Sequence, residues 1–459
     1  MKKILLGLML NVVTISQMFG TTKTTLDRLY KSPPVGINNY MGNSCFMNAA
    51  MQALYYIRPL TQHLFSQPFK DALVGNENTV AGKYVDFLEK LITTSPKALT
   101  TDDAKTFRDF ITCRAMQSNI LNEVLQVPSI IQGLRGEAYE LKEIPPIQLA
   151  PGTTKLTKDQ KNLYTNLHTY NNLIPFFENQ QDSDEFLMPL IDSLITVDKK
   201  NNSVKKMLSF ETKDTIQHKN ITQANKSHKT EKTEQGRKLI LNFSQPLPEK
   251  SSTTMPMEFL LDYYFQQENM TGDNQWFCQA CNAKVDATKG ILLDANNPMP
   301  EILIVQLNRF AYDMIQDITT KIYNPVPLNN YLILKSNYFS NQITEPVYYK
   351  LISFVLHQGP FGGGHYTAFV YNQADNHWWY CDDETTTKFE SNEINKVLSA
   401  GIYPHDGNLE KKATGIFTPY LLFYQKTESP NQQMENLTTA LQALKFKLAE
   451  LATKLSSLK

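Results

Sequence analysis

The sequence predicts an α+β fold, in which a mainly helical first half precedes a second half rich in strands. Apolar residues recur at helical spacing between residues 30 and 194, most regularly over 80–92. Alternation and β-branched residues predict strands at 239–243, 303–310 and 348–355. With 41% hydrophobic and 20% charged residues, the composition suits one large globular domain or two to three smaller ones.

The first predicted element is a leader over residues 1–20. Lys2 and Lys3 precede an apolar run over 4–15, and small residues follow it. This order is typical of a secretory signal peptide, and the run is too short to span a bilayer comfortably. We therefore expect a secreted protein; the alternative is an uncleaved N-terminal anchor.

Helices are predicted next at 80–92 and 107–120. Within 179–194, polar residues come first and another helix is predicted after them. The segment 196–237 is rich in Lys, Asn, Thr and Gln, and is expected to be exposed and extended. A short helix with one apolar face is predicted at 256–265.

A leucine repeat forms the last predicted element, a helix over residues 433–459. Ser429-Pro430-Asn431 separates it from the preceding chain. Its leucines alternate spacings of four and three, as in a coiled-coil seam: Leu437, Leu441, Leu444, Leu448, Leu451, Leu455 and Leu458. Such a stripe predicts self-association or adaptor binding, or else a helix packed on the preceding domain.

Charge and cysteine content exclude two classes of protein. Lysine plus arginine equals aspartate plus glutamate at 45 each, so no overall basic field points to nucleic acid. Five cysteines are few and odd in number, which does not indicate a disulfide framework.

Cys45 is the first candidate for chemistry. It lies in Gly42-Asn43-Ser44-Cys45-Phe46-Met47-Asn48, and an apolar run at helical spacing follows at once. The pattern places Cys45 where a loop becomes a helix, and the partial positive charge there favours a thiolate. The alternative is a buried structural cysteine.

His365 is the candidate partner of Cys45. Glycines precede it at 362–364, and a strand-like run follows it. Asp382 and Asp383 come after the next aromatic-rich run. A carboxylate here can accept from one ring nitrogen of His365, which leaves the other nitrogen free to take the proton of Cys45.

These motifs resemble those of the ubiquitin-specific proteases, papain-like cysteine peptidases that cut ubiquitin from its conjugates. Five motifs occur in the family's order and together reach from about residue 36 to 424. They are the cysteine motif at 42–52, a Gln-Gln-Asp motif at 180–187, a strand at 303–310 that is similar to Leu-Lys-Arg-Phe, the histidine motif at 349–366, and the closing strand at 418–424.

The resemblance implies a catalytic domain over 30–427 that cleaves after the C-terminal glycine of ubiquitin or a ubiquitin-like protein. A helical thumb would carry Cys45, a β palm would carry His365 and Asp382, and extended β fingers would cover about 205–290. In the family, the first aspartate after the aromatic strand orients the histidine, and Asp382 holds that place.

The family's oxyanion donor is an asparagine five positions before the cysteine. Tyr40 occupies that position here and Asn39 lies six positions upstream, because this chain is one residue longer. Asn39 is the candidate donor, and Asn43 or the backbone amide of Cys45 are the alternatives.

The resemblance also implies residues that bind the ubiquitin tail: Gln181, Asp182, His357 and Gly364. Asp182 would accept from the tail, although a helix N-cap is the alternative role. His357 would line the same channel, although it equally fits a core histidine.

Cys278 and Cys281 have the spacing of half a zinc site. The family's second cysteine pair would lie near 215–222, where only His218 could bind a metal and His228 is further along the chain. We therefore expect the finger hairpin without zinc, and no cofactor.

Two other functions fit parts of the pattern. The extra residue before Cys45 allows a catalytically inactive ubiquitin-binding module, and the triad alone allows a papain-like peptidase of other proteins. A leader on such a scaffold suggests a secreted protein that acts on ubiquitin conjugates in a host cell.

Overall fold

A computed structural model describes residues 33–39, 44–77, 79–93, 182–219, 227–243, 253–314, 316–341, 343–404, 415–429 and 431–436, with positions 438, 439, 442 and 447. The predicted leader, the helix at 107–120, Gln181 and the leucines of the C-terminal repeat lie outside these residues. No helix among the described residues combines the length and apolar character needed to cross a membrane.

The helices of the described chain have the following bounds: α1 Cys45–Tyr55, α2 Arg58–Leu64, α3 Gln67–Leu73, α4 Val80–Thr93, α5 Ser183–Val197, α6 Ser203–Leu208, α7 Met257–Tyr264 and α8 Ser391–Ala400.

The strands are β1 Phe210–Lys219, β2 Ser227–Gly236, β3 Lys238–Asn242, β4 Glu268–Met270, β5 Trp276–Cys278, β6 Ala283–Val285, β7 Ala287–Leu293, β8 Ile302–Asn308, β9 Phe310–Asp313, β10 Ile318–Lys321, β11 Tyr331–Leu334, β12 Val347–Gln358, β13 His365–Asn372, β14 His377–Asp382, β15 Thr385–Phe389, β16 Tyr403–Pro404 and β17 Ile416–Thr427. The predicted α+β class is confirmed, since helices dominate the described chain before residue 209 and strands dominate after it.

The chain divides into two compact units. Of the described residues, the first unit takes those within 1–202, 355–394 and 410–417, and the second takes those within 203–354, 395–409 and 418–459. Strand β12 is assigned to both, with its last four residues in the first unit.

The first unit is organised around α1. All eleven residues of this helix are buried, as expected for a helix that is apolar on most of its surface. It contacts α5 and strand β13. Strands β13, β14 and β15 pair antiparallel in succession, so the ends of neighbouring strands meet beside the N-terminus of α1.

The second unit contains an antiparallel sheet in the order β2-β1-β7-β4. Its two longest strands, β1 and β2, lie within the polar segment at 196–237. That segment was predicted to be exposed and extended; β2 is exposed, but both strands are fully paired over ten residues. The extended hairpin expected at about 205–290 is therefore present.

Arg309 follows β8 and is fully buried in the second unit. Its guanidinium donates to the backbone oxygens of Pro419 at 2.6 Å, and of Ile322 and Asn324 at 2.9 Å each. Burial lowers the pKa of this side chain to about 9. One buried cation thereby joins its own segment to the backbone at 322–324 and at 419, which explains why an arginine directly follows the mainly buried strand β8.

Candidate active site

Helix α1 begins at Cys45, where the sequence predicted a helix start. The backbone oxygen of Ser44 accepts from the amides of Met47 and Asn48 at 3.0 Å each, which fixes the first turn. The Ser44 amide and hydroxyl donate to Oδ1 of Asn39 at 2.8 Å and 3.0 Å. Asn39 therefore lies beside the residue that precedes Cys45, although residues 40–43 are not described.

His365, Asp382 and Cys45 form one hydrogen-bonded series. Nε2 of His365 lies 2.6 Å from Oδ1 of Asp382, and the His365 ring is also hydrogen-bonded to the Cys45 side chain. His365 begins β13 and Asp382 ends β14, so the pairing of these two strands sets the distance between them. The edge of the Phe417 ring packs against His365, with 6.0 Å between centroids.

The surroundings of His365 favour its charged form. Burial alone lowers the pKa of the imidazole, but the hydrogen bonds and charges of Asp382 and Cys45 outweigh burial and raise that pKa to about 10. At neutral pH this ring is an imidazolium held between two groups that carry or develop negative charge.

Asp383 has a different environment from its neighbour. Its carboxylate accepts from Nδ2 of Asn48 at 2.8 Å and lies 4.0 Å from His365. Its backbone, with φ of 49°, lies in the left-handed region, and its carbonyl accepts from the Ile37 amide at 2.8 Å. Burial raises the pKa of Asp383, and the hydrogen bonds from Asn48 and Asn39, which lower it, offset this effect only in part. Asp382 is therefore the carboxylate bonded to His365, and Asp383 is bonded to α1.

Two amides of α1 had not been assigned a role from the sequence. Nδ2 of Asn48 donates to Asp383 and to the Ile37 carbonyl, and Nε2 of Gln52 donates to the Val35 carbonyl at 2.7 Å. Asn48 and Gln52 lie three and seven positions after Cys45, so they share its helix face. Buried amides in an apolar helix are the sequence signal that could have identified them.

Gly364 occupies a position that admits no side chain. Its φ is 129°, and a Cβ would lie 1.9 Å from the Gln358 carbonyl oxygen and 2.8 Å from Nε2 of His357. His357 is buried, 2% exposed, and its Nε2 lies 3.2 Å from the Gly363 oxygen. The structure therefore places His357 under the glycine loop, as a core histidine would be.

Asp182 is the N-cap of α5, the alternative role considered for it. One carboxylate oxygen accepts from the Asp184 amide at 2.7 Å, and the other accepts from the Tyr366 hydroxyl at 3.2 Å. The next residue, Ser183, donates from its hydroxyl to the Phe46 carbonyl of α1 at 2.9 Å. Asp182 thus connects α5 with the strand that starts at His365.

A second cluster of reactive side chains lies in the second unit. His218, His228, Cys278 and Cys281 each offer one ligand atom, and these atoms all lie within 4.8 Å of one another. His228 lies further along the chain than His218, but the β1–β2 pairing puts the two histidines directly opposite each other. The site therefore contains four candidate metal ligands.

Comparisons with known proteins agree with the active-site motifs. A profile of the family named ubiquitin carboxyl-terminal hydrolase matches residues 35–424. Ubiquitin carboxyl-terminal hydrolase 15 of Bos taurus is 28% identical over 169 residues, 37% of this chain and 15% of that protein. Ubiquitin carboxyl-terminal hydrolase 8 of Arabidopsis thaliana is 32% identical over 163 residues, 34% of this chain and 18% of that protein. The matched segments span less than a fifth of these relatives.

Solved structures share the fold. The SAGA DUB module Ubp8/Sgf11/Sus1/Sgf73 bound to monoubiquitin aligns with a TM-score of 0.57 at 17% identity, over 91% of this chain and 75% of that chain. The module bound to ubiquitin aldehyde aligns with a TM-score of 0.52 at 18% identity, over 86% and 70%. The fold is thus α+β and papain-like, as expected.

The profile match extends over most of the chain and includes Cys45, His365 and Asp382. The chain therefore belongs to the ubiquitin carboxyl-terminal hydrolase family.

Proposed function

We propose that this protein is a thiol-dependent deubiquitinase, which hydrolyses the bond after the C-terminal glycine of ubiquitin or a ubiquitin-like protein. The observation that carries the proposal is the hydrogen-bonded series Cys45–His365–Asp382 at the N-terminus of α1. Family membership supports ubiquitin as the substrate.

In this mechanism Cys45 is the nucleophile and His365 moves the proton. Nε2 of His365 is bonded to Asp382, so Nδ1 is the nitrogen that faces Cys45, and in the imidazolium form it already holds the proton that the thiol has given up. The thiolate attacks the carbonyl carbon of the terminal glycine, and the imidazolium then protonates the leaving amine. The resulting thioester is hydrolysed by a water that His365 deprotonates, which releases the ubiquitin carboxylate and leaves the Cys45 sulfur beside the reprotonated His365 ring.

Asp382 holds the imidazole in one orientation and stabilises its charged form, as its 2.6 Å bond to Nε2 allows. Asn39 is proposed as the oxyanion donor, supported by its position beside Ser44. Because its side chain is also hydrogen-bonded to Asp383, this role requires the amide to reorient when substrate binds. The backbone amide at the start of α1 is the alternative donor.

Substrate selection is proposed to depend on a narrow approach to Cys45. Gly364, with its tight backbone, precedes His365 directly, and Asp182 is joined to the neighbouring Tyr366. A tail that ends in two glycines can lie close to such a backbone, whereas bulky side chains would collide with it. Gln181 and His357 are also proposed to contact the tail in this channel.

The test compares a fluorogenic ubiquitin-tail substrate with a generic fluorogenic peptide. We expect hydrolysis of the ubiquitin substrate alone. Cys45→Ala and His365→Ala should each lower kcat by at least about a thousandfold and leave ubiquitin affinity largely unchanged. Ubiquitin binding without turnover in the unmodified protein would support an inactive binding module instead. Equal turnover of the generic peptide would support a peptidase of other proteins.

A further inference from the structure

One buried amide lies where three segments of the candidate active site meet, all of them in the first unit. Helix α1 begins with Cys45, and strand β14 ends with Asp382. The third segment, residues 35–39, ends with Asn39, the proposed oxyanion donor. Asn48 lies on α1 three positions after Cys45, on the same face of the helix, and is 2% exposed. Its side chain reaches both other segments from inside the fold.

The hydrogen bonds of Asn48 close a ring through all three segments. Nδ2 donates to Oδ1 of Asp383, in the turn directly after β14, at 2.8 Å. It also donates to the backbone oxygens of Ile37 at 3.2 Å and Asn38 at 3.3 Å. The Ile37 amide in turn donates to the backbone oxygen of Asp383 at 2.8 Å. Each segment is thereby hydrogen-bonded to the other two.

The three partners of Nδ2 explain why an amide occupies this position. All three are acceptors, namely one carboxylate and two backbone oxygens. A side-chain amide supplies two N–H donors, whereas a hydroxyl supplies one and a carboxylate supplies none. Asn48→Asp would also put a second carboxylate against Asp383. The ring therefore needs an amide, and it needs the amide nitrogen on this side.

The oxygen of the same amide gives a second indication. Oδ1 of Asn48 is buried, and no described residue donates to it. A buried acceptor without a donor lowers the stability of the folded protein. Such a group calls for a reason other than packing, and the position of the ring beside the triad supplies one.

We propose that Asn48 is a positioning residue of the hydrolase proposed above. It does not act on the substrate; its bond to Asp383 holds the turn after β14 against α1. Asp382 directly precedes that turn and bonds His365. The Asn48 side chain thereby sets how closely the imidazole approaches Cys45. The proposal rests on the hydrolase function only for its kinetic readout, because the reactivity of Cys45 can be measured without ubiquitin.

The first test measures alkylation of Cys45 by iodoacetamide, mapped by peptide mass spectrometry, in the full chain and in Asn48→Leu. Leucine has a similar volume but cannot donate. At neutral pH the variant should react about tenfold more slowly, since a lost hydrogen bond leaves less of Cys45 as thiolate beside the imidazolium. At about pH 10 an ordinary thiol is ionised without a base, so the two rates should converge. A variant that reacts as fast as the unmodified protein at neutral pH would overturn the proposal.

Gln52→Met is the control for loss of a buried amide from the same helix. Gln52 lies four positions after Asn48, is also 2% exposed, and donates from Nε2 to the Val35 oxygen at 2.7 Å. Its replacement leaves the ring intact, so it should lower the melting temperature and leave the alkylation rate at neutral pH unchanged. Equal slowing in Gln52→Met would show that the amides only stabilise α1. So would slowing of Asn48→Leu by the same factor at both pH values.

The second test is a double-mutant cycle on kcat with the ubiquitin-tail substrate. Asp383→Gly removes the acceptor, and glycine suits the φ of 49° at this position. Asn48→Leu and Asp383→Gly should each lower kcat by about ten- to a hundredfold with little change in KM, because misplaced reacting groups slow the chemical step. The double variant should lose no more than the single variants, because both changes break the same bond.

Fully additive losses in this cycle would overturn the proposal. A protein that shows the expected alkylation rates but hydrolyses no ubiquitin substrate would contradict the hydrolase function and would still support the positioning of Cys45 by Asn48. The two claims therefore fail separately.

Discussion

Asp382 and Asp383 are adjacent, yet the backbone gives them different neighbours. Asp382 still belongs to β14 and bonds His365, whereas Asp383 turns into the left-handed region and bonds Asn48. Both carboxylates fitted the sequence pattern, and the resemblance favoured Asp382. Sequence alone could not separate them, because the difference depends on where the strand ends.

Asp382→Asn should shift the pH dependence of hydrolysis. Asp382 raises the pKa of His365, so its replacement should lower that pKa and deplete the imidazolium at a lower pH. A charge-assisted hydrogen bond contributes about 1.5–3 kcal/mol, so the alkaline limb of kcat/KM should move down by about one to two pH units. The loss of kcat should be smaller than for Cys45→Ala. The measurement is the pH profile of kcat/KM with the ubiquitin-tail substrate.

Asp383→Asn is the matched control for that experiment. It leaves the Asp382–His365 bond in place and puts an asparagine, which tolerates the left-handed region, at φ of 49°. The alkaline limb should therefore stay where it is in the unmodified protein. If Asp383→Asn costs far more activity than Asp382→Asn, the assignment of the triad is wrong.

Gly364 and Gly363 offer a matched pair of substitutions. Gly364→Ala puts a Cβ 1.9 Å from the Gln358 oxygen at a φ of 129°, whereas a Cβ at Gly363 meets nothing within 4 Å. Strained backbone of this kind costs about 1–3 kcal/mol, before the collision is counted. We expect Gly364→Ala to lower the free energy of unfolding by at least about 2 kcal/mol and to reduce kcat/KM. Gly363→Ala should change neither the free energy of unfolding, measured by denaturant titration, nor kcat/KM. Equal losses in the two variants would refute the steric argument.

Among the helices and strands, those with a regular hydrophobic pattern were the ones that the sequence predicted. Helix α4 was predicted at 80–92 because one face of it is apolar, and it spans Val80–Thr93. Strands β1 and β2 carry polar residues on both faces, so neither shows an alternation that predicts burial. Their exposure was predictable from composition, but their pairing was not.

A substitution at the start of α5 tests whether Asp182 caps the helix, binds the substrate, or does both. Asp182→Asn keeps an oxygen that can accept from the Asp184 amide but removes the charge. We expect the free energy of unfolding to change by less than about 0.5 kcal/mol, because asparagine caps as well as aspartate does. KM for the ubiquitin-tail substrate should rise while kcat changes little. An unchanged KM would restrict Asp182 to capping α5.

For the whole molecule, the order of five motifs predicted both the family and the fold, because such motifs are far more specific together than alone. The position of His228 opposite His218 was not predictable, since it depends on the register in which β1 pairs with β2. The leucine repeat at 437–458 lies largely outside the described residues, and its role in self-association stays a prediction.

The central claim is that Cys45 is the nucleophile of a ubiquitin hydrolase. The most direct test incubates the full chain with ubiquitin carrying a C-terminal thiol-reactive electrophile and maps the adduct by peptide mass spectrometry. We predict one ubiquitin per chain, attached to Cys45, and no adduct in Cys45→Ala. His365→Ala should react much more slowly, because no ring nitrogen then holds the proton of Cys45. An adduct on another cysteine, or no reaction in a folded protein that binds ubiquitin, would contradict the claim.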